Sequence, residues 1–268
     1  MNATLAANPV PDLARRFGGV ARVYGDAGLA RFARAEVAVV GVGGVGSWAV
    51  EALARSGIGG LTLIDLDHVC ESNVNRQLPA LDGNFGKAKT AVLAERVRAI
   101  NPDCRVRCVE DFLTPENQAG LLESGFDWVV DCIDNARTKA ALIYHCRRNK
   151  LKLVTVGGAG GMTDPTRIRV ADLGRAIHDP LLAKTRRLLR QDYGVARDPK
   201  KRFDVACVFS EEQPVFADGA GGLGERPPAA GAALSCAGGL GSAVCVTAPF
   251  GFVAAAHVLR KLAASVKG

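Results

Sequence analysis

EVAVVGVGGVG, residues 36–46, runs from an unbroken apolar stretch into a cluster of glycines. The apolar part lacks the alternation of a half-exposed strand, so it predicts a strand buried on both faces, as in a parallel sheet. A helix from about Val45 to Ser56 follows it. Without side chains at Gly41, Gly43, Gly44 and Gly46, the backbone can turn tightly and approach a phosphate. The free amides of the helix's first turn then point at the negative charge. A second strand, LTLID at 61–65, ends on Asp65, 24 residues after Gly41. A carboxylate there accepts hydrogen bonds from ribose hydroxyls. The combination predicts a nucleotide site, leaves NAD, FAD and ATP open, and taken alone leans towards NAD.

Outward from this core, strand and helix keep alternating. Residues 66–85 are irregular and polar, and a helix over 86–100 is stopped by Asn101-Pro102. RVRCVED (105–111) reads as a third strand, 114–123 as a helix, and FDWVVDCID (126–134) as a fourth strand. A helix over 136–149 leads to a fifth strand, KLVTVGG (152–158). The fold class predicted is α/β, a doubly wound, Rossmann-like, mostly parallel sheet with right-handed crossovers. RIRVADL (167–173), its direction open between parallel and antiparallel, and VACVFS (205–210) read as strands added in the C-terminal half, with further helices. The chain is taken as one domain over 1–268, with residues 217–233, rich in Gly, Ala and Pro, as a flexible loop.

Composition narrows the class. At 48% hydrophobic and 23% charged residues, the chain is neither fibrous nor broadly disordered. A net charge of +7 favours polyanionic partners: nucleotide, RNA or anionic lipid. The eight cysteines form no C-x-x-C pair, which argues against a zinc clip and a disulfide framework and for a reducing, cytoplasmic setting. The N-terminal residues lack a signal-peptide run. The apolar stretch from Gly238 to Leu259 is interrupted by Pro249 and several glycines, and reads as a buried helix rather than a membrane span.

Two further motifs favour ATP. After Asp65 and Asp67 comes SNVNRQ (72–77), bringing Asn73, Arg76 and Gln77 close together, and Gly86, Lys87 and Lys89 open the next helix. A dehydrogenase needs no cations here, whereas attack at the α-phosphorus of a triphosphate builds charge that Arg76 and Lys89 can stabilise. The competing reading is a solvated loop with a stray Arg and Lys. DCIDN (131–135) lies at the carboxyl end of the fourth strand, where open α/β sheets bind ligands. Asp134 is the candidate for Mg²⁺, which bridges phosphates through one or two carboxylates. Asp131 is open between that site and a structural or capping role.

GVGGVGS, the aspartate of LTLIDLD, SNVNRQ, GKAK and VDCIDN occur in one order and spacing. Together they resemble the superfamily of the ubiquitin-activating enzyme and its bacterial relatives that adenylate sulfur carriers. The resemblance implies that Asp65, Asn73, Arg76, Lys89 and Asp134 bind ATP and Mg²⁺, with Asp67 and Gln77 in the same site. It also implies a homodimer in which an N-terminal arginine reaches the neighbouring subunit's site. Within RFGGVARVYG (16–25), Arg22 is chosen over Arg16.

The sulfur-carrier enzymes commonly hold zinc on two C-x-x-C pairs, which this chain lacks. RFGGVARVYG, the stretch from Asp179-Pro180 into basic residues, VFSEEQP (208–214) and the ending SCAGGLGSAVCVTAPFGF (235–252) resemble one subfamily. These are the dehydratases that cyclise threonylcarbamoyladenosine in tRNA. The resemblance implies ATP-driven adenylation of the threonyl carboxylate and closure of the ring within one molecule, with no transfer cysteine. The basic segment 179–203 is read as its tRNA contact, through Lys184, Arg186, Arg187, Arg190, Arg197, Lys200, Lys201 and Arg202. The bland reading of that stripe is a solvated helix.

Family members also suggest a cysteine desulfurase or sulfur-acceptor partner. Cys236 and Cys245 are nonetheless expected to pack as small hydrophobes, and His178 and His257 to be structural. Three other readings stay in view: an adenylyltransferase for a ubiquitin-like sulfur carrier, an NAD-dependent oxidoreductase, and a nucleotide-bound scaffold.

Overall fold

A computed structural model of the chain describes residues 10–122, 125–195, 198, 201–217, 222–224 and 240–266. Two helices precede the first strand: α1 (Leu13–Tyr24) and α2 (Asp26–Ala33). Asp12 caps α1 by accepting from the Arg15 amide at 2.9 Å. Their apolar residues converge, with Phe17 and Phe32 buried and Tyr24 edge-on to Phe32. The sequence reading assigned no element here.

The core units follow as β1 (Glu36–Val40), α3 (Gly46–Arg55), β2 (Gly60–Ile64), α4 (Lys89–Ile100) and β3 (Arg105–Val109). The expected helix over 114–123 is a single turn, α5 (Gln118–Leu121). β4 (Trp128–Asp131), α6 (Ala136–Arg148) and β5 (Leu153–Val156) complete the alternation. Beyond them lie β6 (Ile168–Asp172), α7 (Pro180–Gln191) and β7 (Ala206–Ser210). The short β8 (Phe216–Ala217) and β9 (Leu223–Gly224) pair with each other ahead of α8 (Val244–Ala264). Ala217 of the expected 217–233 loop therefore lies in a strand, as do Leu223 and Gly224. Residues 218–221 and 225–233 lie outside the described residues.

The large sheet has the order β3-β2-β1-β4-β5-β7-β6. Every neighbouring pair is parallel except β6 with β7. The predicted doubly wound sheet is present, with the added strand at 167–173 antiparallel. Along β1 the side chains alternate between two cores, as strand geometry requires. Val37 and Val39 join Leu53, Leu61, Phe250 and Val258 on the face of α3 and α8. Ala38 and Val40 join Val129, Leu142, Leu182 and Phe203 on the face of α6 and α7.

By length and composition α8 could cross a membrane, but it lies in the core with Phe250, Ala254, Ala255 and Val258 fully buried. Gly251 lets it cross α3 closely: a Cβ there would sit 2.5 Å from the Val45 carbonyl oxygen and 2.8 Å from the Ala49 nitrogen.

Candidate active site at the carboxyl ends of the strands

The strand order reverses between β1 and β4, the place where open α/β sheets leave a crevice. A cleft of about 720 Å³ opens there, lined by Gly41, Gly43, Gly44, Asp65, Asp67, Asn73, Arg76, Gln77, Lys89 and Asp134 among others. Nearly all the residues expected to hold the nucleotide are thus brought together. Gly46 serves from behind: a Cβ on it would overlap the Gly41 carbonyl. Gly41 itself has φ +80, and a Cβ there would press within 3.0 Å of the Cys132 carbonyl oxygen. This is the conformation that glycine adopts without cost.

Asp65 is tied to the turn it faces. One carboxylate oxygen accepts from the Val42 amide at 2.8 Å and the other from the Asp67 amide at 2.9 Å. Burial pushes its carboxyl above the ordinary aspartate range, against the pull of these amides and of Lys89. Lys89 is buried and donates to Asp67 Oδ2 at 2.8 Å, so Asp67 serves it as counter-ion. Asn73 accepts from the Cys70 amide at 3.1 Å, which folds the loop that carries Arg76. The guanidinium of Arg76 donates to the Ser72 carbonyl and to Asn75 Oδ1, both at 2.9 Å. The indole of Trp48 donates to the Arg76 carbonyl at 3.0 Å, fixing that residue's backbone. Gln77 is buried beside Gly43, and its Oε1 has no hydrogen-bond partner among the described residues. Such an orphan in a cleft wall fits a polar ligand.

The two aspartates of DCIDN separate. Asp131 is wholly buried, ion-paired with Lys139 at 2.8 Å and accepting from the Thr155 hydroxyl at 2.6 Å. That makes it structural. Asp134 is exposed on the cleft and makes no hydrogen bond or ion pair with a described residue. Among the described residues no cluster of three metal-ligating side chains exists. A single open carboxylate facing a phosphate site suits Mg²⁺, which keeps most of its ligands as water and phosphate.

Other expectations are corrected. Arg186 turns inward, donating to the Leu173 and Ala176 carbonyls at 3.3 and 3.0 Å, and burial lowers its pKa. Arg190 stacks over the Phe203 ring at 5.1 Å. The stripe is therefore split, because the arginine spacing that shares one helical face also shares the face turned to Leu182 and Leu189. Lys184, Arg187, Lys201 and Arg202 remain exposed, and Arg197 and Lys200 lie outside the described residues. Cys245 is exposed at the start of α8 rather than packed as a small hydrophobe, and Cys236 lies outside the described residues. His257 is buried edge-on to Trp128, as a structural histidine should be, whereas His178 is exposed with φ +53.

Arg22 is exposed on the last turn of α1 and does not line the cleft of its own chain. Arg16 instead donates to the Ala99 and Ile100 carbonyls at the end of α4.

Three contributors went unread in the sequence. Asn75 donates to the Ser242 carbonyl at 2.7 Å and accepts from the Val244 amide, bolting α8 to the Arg76 loop. Asp179 caps α7 and accepts from the Gly158 amide at 2.9 Å. Its signal was the Asp-Pro pair, an N-cap followed by Pro at N1. Thr247 lines the cleft from α8, and no local pattern announces it.

The ThiF family model matches residues 15–265. The tRNA threonylcarbamoyladenosine dehydratase of Haemophilus influenzae is 52% identical, over 92% of this chain and 93% of its own. That of Escherichia coli is 54% identical, over 93% and 94%. The crystal structure of the E. coli tRNA N6-threonylcarbamoyladenosine dehydratase in complex with ATP covers 97% of this chain and 99% of its own, at 50% identity and a TM-score of 0.85. With its glycine turn, cationic loop and open aspartate gathered at the switch point of the sheet, the chain belongs to the ThiF family.

Proposed function

We propose that this chain dehydrates threonylcarbamoyladenosine in tRNA to its cyclic form at the expense of ATP. The observation that carries the reading is the end-to-end match, at 50% identity, to a dehydratase solved in complex with ATP, together with a cleft in this chain that gathers the expected nucleotide residues. The glycine turn and the first turn of α3 receive the phosphates, and Asp65 receives the ribose. A threonyl carboxylate oxygen attacks the α-phosphorus, and the bond to pyrophosphate breaks. Arg76 and Lys89 stabilise the charge that gathers on the phosphoryl oxygens. For Arg76 this means exchanging carbonyl and amide partners on the loop for phosphate, and for Lys89 sharing its ammonium with Asp67. A carbamoyl atom of the same nucleoside then attacks the activated carbonyl and expels AMP, closing the ring. Atoms balance as loss of one water, whose oxygen leaves on AMP. Asp134 would hold Mg²⁺, which neutralises phosphate charge when bound.

The tRNA contact belongs to Lys184, Arg187, Lys201 and Arg202, exposed around α7 and ahead of β7. A homodimer would bring Arg22 to a neighbouring cleft. A cytoplasmic setting agrees with the free thiols, seven among the described residues. Cys245 is accessible to a sulfur-acceptor or desulfurase partner, although the reaction balances without sulfur.

The test is mass spectrometry of nucleosides after incubating the protein with ATP, Mg²⁺ and tRNA carrying threonylcarbamoyladenosine. The modified nucleoside should lose one water. Arg76→Ala and Asp134→Ala should each slow this by ~10²-fold or more while retaining the fold. An unchanged nucleoside, with AMP released only when a sulfur-carrier protein is added, would overturn the reading.

A further inference from the structure

The nucleotide residues account for only part of the cleft lining. The cleft is also lined by Ala159 and Met162 from the glycine-rich turn after β5, by Pro214 and Phe216 after β7, and by Leu240 ahead of α8. This wall is assembled on backbone. Gly161, at φ +72, donates its N–H to the Gly241 carbonyl at 2.7 Å, and its carbonyl accepts from the Val215 amide at 2.8 Å. A Cβ on Gly161 would lie 2.6 Å from the Val215 carbonyl oxygen, so the three segments close up only around glycine.

Thr247, in the first turn of α8, lines the same cleft. It is 3% exposed, and its hydroxyl makes no hydrogen bond among the described residues. It does not bond back to the Ala243 carbonyl, which accepts the backbone amides of Val246 and Thr247, both at 3.1 Å. A buried hydroxyl without a partner costs stability, and valine would fill the same space without that cost. Gly251, one helical turn further on the same face, seats α8 against the Val45 carbonyl at the end of the glycine turn. Thr247 is thereby carried on the helix that packs against the end of the glycine turn and the start of α3. The segment is also part of the 235–252 ending, which lies outside the shared nucleotide motifs.

We infer that Thr247 recognises the acyl substrate: its hydroxyl hydrogen-bonds the threonylcarbamoyl group, and the apolar wall of Ala159, Met162, Pro214, Phe216 and Leu240 takes the purine that carries it. The inference rests on the function proposed above. A threonylcarbamoyl group offers carbonyl acceptors and N–H donors, and a hydroxyl can answer either. A purine presents a flat apolar face that such a wall accommodates.

The test compares Thr247→Val and Thr247→Ser with the unaltered protein, reading kcat/KM for modified tRNA, Kd for ATP and Tm. Thr247→Val should lower kcat/KM about tenfold or more, with ATP affinity unchanged and Tm equal or higher. Thr247→Ser, which keeps the hydroxyl, should restore most of the loss. A merely structural threonine would lower Tm and activity together, and that outcome overturns the inference. So does a valine variant as active as the parent, or one that loses ATP binding instead. If the unaltered protein leaves the modified nucleoside intact, the functional reading itself falls and takes this inference with it.

Discussion

Asp65 and Asp131 stand at the carboxyl ends of strands on either side of β1, and their surroundings give them opposite work. Asp131 is saturated by Lys139, the Thr155 hydroxyl and the Ile133 amide at 3.0 Å. Removing one partner of such a buried pair strands a charge, at a cost of about 3–5 kcal/mol. Its task is to hold the turn that presents Asp134. Asp65 keeps lone pairs free beyond its two backbone amides, and burial raises its pKa. The sign follows directly. In the role proposed for Asp65, ribose hydroxyls donate to the carboxylate, so ATP binds the ionised form, and affinity is lost as pH falls through the raised pKa. Calorimetric Kd for ATP should therefore begin to rise at a higher pH than an ordinary aspartate would dictate. Asp65→Asn should bind weakly with that limb removed, leaving only the titration of ATP itself. Parallel pH profiles for the two proteins would contradict this assignment.

At the scale of elements, α8 does what its composition half-conceals. Its apolar length suits a membrane, yet Gly251 and Phe250 seat it on α3, and Asn75 ties its N-terminus to the Arg76 loop. Gly251→Ala should destabilise the protein by about 1–3 kcal/mol, because the new methyl meets backbone rather than a movable side chain. It should also weaken ATP binding, since the Val45–Ala49 segment that must give way is the start of α3. Gly18→Ala in α1 is the control: a Cβ there meets nothing within 4 Å, and it should gain about 0.5–1 kcal/mol. Thermal unfolding and ATP titration check both. An unchanged Tm and Kd for Gly251→Ala would show that the two helices part without consequence.

For the whole molecule, the order β3-β2-β1-β4-β5-β7-β6 places the glycine turn after β1 next to the Asp134 turn after β4. The strands added beyond β5 supply the second wall of the cleft through the chain that follows β7. Arg22 lies away from this cleft, so a role in catalysis requires a second subunit. On the proposed homodimer, the Arg22→Ala and Arg76→Ala proteins should each be inactive. Subunits mixed in equal amounts should recover about a quarter of normal activity, since half the dimers hold one intact site out of two. No recovery on mixing, with subunit exchange verified by native mass spectrometry, would remove Arg22 from the site.

The sequence by itself determined the central sheet, because a strand buried on both faces must be an unbroken apolar run and a phosphate turn must be glycine. It marked most of the proposed nucleotide site for the same reason: Gly41, Asp65, Arg76 and Lys89 lie within one strand–turn–helix–strand unit, the loop that follows and the start of the next helix. What it could not determine depends on which side of a segment meets another far along the chain. Both Arg186 and Arg187 read as phosphate contacts, but only packing against Leu173 and Ala176 turns the first inward. Asp131 and Asp134 read as a pair until Lys139 and Thr155 claim one of them. Thr247 lies far along the sequence from the glycine turn, and only the crossing of α8 over α3 brings it to the cleft. Local sterics are written residue by residue, whereas burial and partnership are decided by the closed core.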